Sequence, residues 1–365
     1  MKKVAILLPG IEKIGGAERQ AIQLAGGLAT RGWKVYLLCM SGGIRGQHDE
    51  LRAVECHSLQ MRHGWKDPIG WLRLSRWIRR HQPDILHAHL PHATWMARWS
   101  RLFTPVRVVC DTLHTASTGN FLRRTGYRLS GRLSNGSTAV SGSVAKCWIG
   151  QCGVKPGKLI LLPNGVKIPA MRVARHPSAL PFHWLAVGRL EAVKDYGTLL
   201  QAFALANRNA RLTIAGEGAM RGRLQALAAT LGVAGRVEWA GFLADLSPLY
   251  SQADGLVHSS RWEGLPMSIL EASSHGLPVV ATDAAGVRDA LPQNSHAWIA
   301  PVGDAAALAE KMSSMMERSA TERAQVGDEN FNFAKEHFAM EKLLDAWERT
   351  YEQLLALNPA PHRWG

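Results

Sequence analysis

Short apolar runs alternate with segments of helical period along almost the whole chain, and this alternation most narrows what it can fold into. In the first half the runs are "VAILLP", "KVYLLCM", "DILHAHL", "VRVVC" and "STAV". In the second they are "HWLAVGR", "RLTIAGEG", "RVEWAGF", "DGLVHSS", "LPVVATD" and "AWIAP". Strands that alternate with helices pair in parallel, because each crossover helix carries the chain back to the end from which the next strand starts. Between the two series lies "LPNGVKIPAMRVARHPSALPF", with four prolines and little periodicity, which reads as a linker. A chain of 365 residues is too long for one core. The expected class is α/β, with two doubly wound Rossmann-like domains facing a cleft: residues 1–170 and 171–340. A closing amphipathic helix, "MEKLLDAWERTYEQLLAL" within residues 341–365, is expected to pack back on the first domain.

The first crossover carries a signal of its own. "LPGIEKIGGAERQ" leaves a strand, breaks at Gly15 and Gly16, and enters a helix. Adjacent glycines let the backbone approach something bulky, and the helix N-terminus presents free N–H groups to it. A phosphate suits that place. The G-x-G-x-x-G spacing of a dinucleotide fold is absent, which argues against an NAD-dependent oxidoreductase.

The densest chemistry lies in "SSRWEGLPMSILEASSHGLPVVATD". Glu263 falls in a loop after a strand, Gly264 and Pro266 set up a helix start, and Glu271 follows eight positions after Glu263. At about 1.5 Å per residue, Glu271 sits about a turn and a half into that helix. Between the two carboxylates, the backbone at Leu265, Met267 and Ser268 offers a helix N-terminus to an anion. A nucleotide sugar meets these demands: its sugar and ribose hydroxyls take carboxylate acceptors, and its diphosphate takes donors and positive charge. Arg189 and Lys194 in "VGRLEAVKDYG" supply that charge at the end of the second domain's first strand.

"EGLPMSILE" resembles the E-x7-E signature of retaining glycosyltransferases of the GT-B fold, in the GT4 group. "GGAER", "VSGSVAK", "LPNGV", "VGRLEAVKDYGTLLQAF", "AGEG", "GFL" and "GLPVVATDAAGVRDAL" resemble that family's landmarks in order, so the likeness covers most of the chain. The resemblance implies an acceptor-side first domain and a second domain that binds the nucleotide sugar. It implies that Arg189 and Lys194 clamp the donor diphosphate, that Gly15 and Gly16 approach it, that Glu263 binds the transferred sugar and that Glu271 binds the ribose. Leu265, Met267 and Ser268 fall in the same donor-binding block, and His114 in "CDTLHT" matches a family histidine near the sugar. It also implies retention by same-face attack. No Asp-x-Asp motif is evident, so neither a metal nor any other cofactor is expected, and positive side chains and helix N-termini are expected to do a cation's work.

Charge is uneven. Residues 1–170 hold 25 Lys and Arg against 8 Asp and Glu, a net of +17, while the remainder carries −3. Basic residues interleave with large apolar ones in "DPIGWLRLSRWIRRHQPD", "WMARWSRLF" and "NFLRRTGYRLSGRL", as in a helix lying on an anionic membrane. The expected acceptor is therefore a lipid-linked saccharide or polysaccharide precursor. The expected location is cytoplasmic, at the inner face of the cell membrane. Five cysteines give no disulfide framework, and no metal-ligand spacing accompanies Cys147 and Cys152. Two rival readings stand beside this one: a sugar-nucleotide epimerase, and a basic nucleic-acid-binding protein, although no nucleic-acid recognition motif is evident.

Overall fold

The computed structural model describes residues 1–11, 15–42, 49–62, 64–170, 181–206 and 209–359. Ten residues of the expected linker, 171–180, lie outside the described residues. The chain divides into two compact units, residues 1–164 with 341–365, and residues 165–340.

Unit 1 runs β1 (Lys3–Leu8), α1 (Gly16–Thr30), β2 (Lys34–Cys39), β3 (Glu55–Ser58), α2 (Pro68–His81), β4 (Ile85–His89), α3 (Pro91–Ser100), β5 (Val108–Leu113), α4 (Phe121–Ser130), β6 (Gly136–Ala139), α5 (Gly142–Cys152) and β7 (Leu159–Leu161). Its seven strands pair in parallel in the order β3-β2-β1-β4-β5-β6-β7. The central strands β1, β4 and β5 are buried along nearly their whole length, as expected of strands covered by helices on both faces. The edge strands β3 and β7 are short and partly exposed, and neither was among the expected strands: β3 is mostly polar, and β7 runs directly into the expected linker.

Unit 2 runs β8 (Phe182–Val187), α6 (Tyr196–Leu205), β9 (Ala210–Ala215), α7 (Arg221–Thr230), β10 (Val237–Gly241), α8 (Ser247–Gln252), β11 (Gly255–His258), α9 (Met267–Ser274), β12 (Val279–Thr282), β13 (Ile299–Ala300), α10 (Ala305–Glu317) and α11 (Ala320–His337). Its parallel order is β10-β9-β8-β11-β12-β13. Both sheets therefore reverse direction beside their first strand, between β1 and β4 and between β8 and β11. In doubly wound sheets, ligands bind outside the carboxyl ends of the strands at that reversal.

The units divide at Asn164 and Gly165, six residues before the expected boundary. The reason is local: Val166 bridges Ala339, its N–H donating to Phe338 O at 2.8 Å, and Met340 N–H returns to Val166 O at 3.0 Å. The last helix, α12 (Met340–Leu357), packs within unit 1. Arg31 reaches Glu341 and Glu348, each at 2.8 Å, and Trp33 Nε1 donates to Glu348 Oε1 at 2.8 Å. At the far end Arg107 donates to the carbonyls of Leu355 and Asn358, satisfying groups a helix C-terminus leaves open.

One buried ion pair stands inside unit 1. Arg98 of α3 grips Asp111 of β5 through two nitrogens, with contacts of 2.9 to 3.1 Å, and both side chains are almost wholly buried. Arg98 therefore does not belong to an outward basic face, as "WMARWSRLF" suggested. Breaking such a pair strands the remaining charge in the core. Asp111→Ala is expected to cost about 3–5 kcal/mol, read as a lowered urea midpoint.

Candidate functional site

The loops that follow β8 and β11 are joined to each other. Gly188, at φ +153°, turns the chain out of β8 toward Arg189 and Lys194. The packing there is backbone on backbone: a Cβ at Gly216 would lie 2.0 Å from Gly188 O. Ser259 Oγ donates to Lys194 O and Arg261 N–H donates to Val193 O, both at 2.8 Å. Arg261 also meets Asp195 at 3.1 Å, and Asp195 holds a left-handed turn, φ +46°, while capping α6.

This join brings Lys194 and Glu263 together. Lys194 Nζ donates to Glu263 Oε1 at 2.6 Å, and Ser260 Oγ donates to the same oxygen at 2.6 Å. His258 Nε2 lies 3.3 Å from it, close enough to pair by charge but not aligned for a hydrogen bond. Burial pushes the Glu263 carboxyl up, but Lys194 and His258 outweigh it and hold the group far below the ordinary range. Burial lowers His258, against the pull of Glu263. A Cβ at Gly286, φ +86°, would sit 2.1 Å from Gly264 O, so only glycine lets the loop after β12 close against the Glu263 loop.

The helix that follows begins at Met267, with Pro266 outside it as the cap, one residue later than its expected place in the first turn. Pro266 keeps an extended ψ of 110°, and the first helical N–H to reach a carbonyl is that of Ile269. The amides of Met267 and Ser268 are thus among the open donors of a helix N-terminus. Leu265 is buried, and Ser268 Oγ bonds His258 Nδ1 at 3.2 Å. Glu271 Oε2 accepts from Tyr250 OH at 2.8 Å, and Tyr250 stacks on His275. Arg189 lies on the loop after β8, five positions before Lys194. It is exposed, with Glu191 at 3.4 Å, and points a guanidinium into solvent from the same strand end.

In unit 1, Gly15 caps α1 with extended backbone and Gly16 starts it, and Glu18 Oε2 accepts the Gly15 N–H at 3.0 Å. Glu12–Ile14 of that loop lie outside the described residues. His114 follows β5, and its Nε2 bonds Nδ1 of His89, the last residue of β4, at 2.8 Å. His87, two residues earlier, bonds Thr112 and Tyr351, each at 2.7 Å. Burial holds all three histidines neutral at pH 7, with His114 pushed down to about 4 and His87 to about 3. Nδ1 of His114 and Nε2 of His89 are buried without a protein partner.

Two family models match the two halves in turn: glycosyltransferase family 4 over residues 14–168, and glycosyl transferases group 1 over residues 180–332. The chain belongs to the GT4-type glycosyltransferases. The lipopolysaccharide core biosynthesis glycosyltransferase LpsE of Rhizobium meliloti is 27% identical over 95% of this chain and 97% of its own. The amylovoran biosynthesis glycosyltransferase AmsK of Erwinia amylovora is 30% identical over 46% of this chain and 45% of its own. Among solved structures, HepE of Anabaena in complex with UDP-glucose superposes with a TM-score of 0.82 at 20% identity, covering 96% of this chain and 100% of that one. Sucrose-phosphate synthase of Thermosynechococcus elongatus gives 0.85 at 19%, covering 98% and 100%. These likenesses establish the GT-B fold for this glycosyltransferase, with two Rossmann-like domains. Neither the epimerase nor the nucleic-acid reading gains support from them.

Sequence reasoning passed over several residues of these clusters in the glycosyltransferase. His258 and Ser260 lie in "DGLVHSS", which reads as the apolar end of a strand, and His89 lies in "DILHAHL" for the same reason. Alternation along β4 puts His87 and His89 on one face, which is the signal that could have found them. The buried carboxylate supplies a test. Because the folded-state pKa of Glu263 lies below its ordinary 4.5, its ionised form stabilises the fold above that pH and the benefit fades as pH falls. The stability advantage of wild type over Glu263→Gln is expected to narrow by about 1.4 kcal/mol per pH unit below the ordinary carboxylate value. Urea unfolding of both proteins across that range measures it, and a difference independent of pH would refute the depressed pKa.

Proposed function

We propose that this glycosyltransferase moves a hexose or N-acetylhexosamine from a nucleotide sugar, with UDP as the preferred carrier, to a lipid-linked saccharide or polysaccharide precursor. The observation that carries this reading is the Glu263–Lys194–His258 cluster at the strand reversal of unit 2. An ionised, hydrogen-bonded carboxylate stands there beside Lys194, with exposed Arg189 on the loop that leads to Lys194 and the open amides of α9 in the segment that follows Glu263. Glu263 would accept from hydroxyls of the transferred sugar and Glu271 from the ribose. Arg189 and Lys194 would balance the diphosphate, aided by the amides around Leu265, Met267 and Ser268. In unit 1, Gly15 and Gly16 would let the backbone at the start of α1 approach phosphate, and His114 would act near the transferred sugar. The UDP and UDP-glucose complexes of HepE support the choice of uridine.

The chemistry follows from charge. As the bond between the anomeric carbon and the phosphate oxygen breaks, negative charge grows on the departing diphosphate, where the two cations stabilise it. The acceptor oxygen bonds to the same face of that carbon, and its proton passes to the departing phosphate oxygen. Configuration is retained, and no metal is required in this scheme. His89 acts as a positioning residue: one ring nitrogen of the His89–His114 pair donates and the other accepts, which fixes the tautomer and angle of His114. The basic first unit is proposed to place the enzyme on the cytoplasmic membrane face, where a lipid-linked acceptor resides. No described helix is long and apolar enough to cross a membrane.

Nucleoside diphosphate release from UDP-, GDP- and ADP-sugars, with and without a bacterial lipid extract and with EDTA present, tests the reaction. The expected result is release that needs lipid, survives EDTA and falls at least about a hundredfold in Glu263→Ala. Isomerisation of a sugar nucleotide without release would hand the site to the epimerase reading. His89→Ala is expected to lower kcat by up to about a hundredfold with little change in donor KM, and His89→Asn to recover part of it. Equal loss in both variants would make His89 merely structural.

A further inference from the structure

Unit 1 buries a run of hydrogen bonds that the chemistry above does not use. Tyr351 of α12 is wholly buried, and its OH lies 2.7 Å from Nδ1 of His87 on β4. Nε2 of the same ring lies 2.7 Å from Thr112 Oγ1 on β5. Thr112 Oγ1 lies in turn 2.8 Å from Thr138 Oγ1 on β6, and Thr138 donates to the Asp111 carbonyl at 3.5 Å. Three neighbouring strands and the last helix thus share one chain of polar contacts.

The protons give this chain a direction. Burial keeps His87 neutral, so one ring nitrogen donates and the other accepts. If Tyr351 donates to Nδ1, then Nε2–H donates to Thr112, Thr112 to Thr138, and Thr138 to the Asp111 carbonyl. Every proton has an acceptor. In the reverse direction the Tyr351 proton would point into the core, where no second acceptor reaches it among the described residues. A buried hydroxyl proton left without an acceptor is costly. Tyr351 therefore sets the tautomer of His87, with the proton on Nε2.

The ring that Tyr351 fixes packs against the sugar-side histidines. His87 and His89 lie two residues apart on β4 and share a face of the sheet, with ring centroids 4.2 Å apart. Trp347 of α12 also packs on His87, at 4.8 Å. His89 is bonded to His114 through Nδ1, while its Nε2 is buried without a partner. One hydrogen bond does not settle the tilt of a ring, so the contact with His87 supplies the restraint that the open nitrogen lacks.

We propose that Tyr351 is a positioning residue of the transfer reaction: by fixing the His87 ring it sets the angle of the His89–His114 pair, and so couples the last helix of the chain to the site. The inference rests on the role given to His114 above and extends it to α12. Tyr351 touches neither sugar nor diphosphate in this scheme, so it acts on rate and not on donor affinity.

Long-range nitrogen–proton NMR spectra of the full chain, labelled at its histidine nitrogens, need no substrate and read each tautomer. His87→Gln, His89→Gln and His114→Gln assign the signals. In wild type, His87 is expected to carry its proton on Nε2. Tyr351→Phe keeps the ring and removes only the hydroxyl. It should shift the His89 and His114 signals and lower kcat about five- to tenfold at an unchanged donor KM. Arg31→Gln loosens the same helix at its ion pairs with Glu341 and Glu348. That variant should lower the urea midpoint while spectrum and kcat stay as in wild type.

Unmoved His89 and His114 signals in Tyr351→Phe overturn the coupling, whatever happens to kcat. An equal loss of kcat in Arg31→Gln makes the effect one of helix docking and overturns it as well. If the signals move and His114→Ala keeps the wild-type kcat, the coupling stands and the role given to His114 falls instead.

Discussion

A parallel sheet with crossover helices delivers every strand C-terminus of a unit to one edge, whatever the sequence of the loops. That constraint organises both halves of this chain. In unit 1 the edge receives the Gly15–Gly16 turn after β1, His89 at the end of β4 and His114 after β5. In unit 2 it receives Arg189 and Lys194 after β8 and Glu263 after β11. The sheet order brings β1 beside β4 and β8 beside β11, so residues far apart in sequence become neighbours without long loops. Lys194 and Glu263 are 69 positions apart and share a hydrogen bond of 2.6 Å.

What holds that edge in shape is backbone packing as much as side-chain chemistry. Gly216 closes on Gly188, Gly286 on Gly264, and Gly218 would place a Cβ 2.4 Å from Leu190 O. These glycines allow four loops to touch in pairs, main chain to main chain, and the Gly286–Gly264 contact lies beside the Glu263 carboxylate. Gly218, which reads in the sequence as a turn after a strand, is one of these contacts. The ionised state of Glu263 follows from the same packing, because its burial is offset only by a lysine and a histidine that these loops hold in place.

The α/β class and all six strands of unit 2 were legible in the sequence, since buried parallel strands are short apolar runs set off by helices. The edge strands of unit 1 were not: "ECHS" carries two polar side chains and a charge, and "LIL" runs straight into the proline-rich stretch taken for a linker. Edge strands bury less, so they leave a weaker pattern. Glu263 and Glu271 were visible as carboxylates framing a helix start. His258 and His89 were hidden because strand-end histidines read as core until the partner strand is placed. The direction in which a helix faces was the least legible feature. "WLRLSRWIRR" and "NFLRRTGYRL" look alike as strings, yet Leu74 and Ile78 of the first face the core while Phe121, Leu122 and Leu129 of the second face solvent. Only the packing of neighbouring helices decides that.

The charge asymmetry gains meaning from where the few acids of the first half go. Asp111 holds Arg98, Asp67 caps α2 with contacts of 3.0 and 3.2 Å, Asp84 receives the Lys3 N–H at 2.8 Å, and Glu18 receives that of Gly15. Glu55 pairs with Lys34 and Asp49 with Arg52. Most of the described acids are thus engaged in caps, turns and internal pairs, and few remain to balance the outward cations. A fold does not require such an excess, since self-repulsion of like charges works against the compact state. Where the arginines are also half-buried and unpaired, as on α4, the repulsion is joined by a desolvation cost.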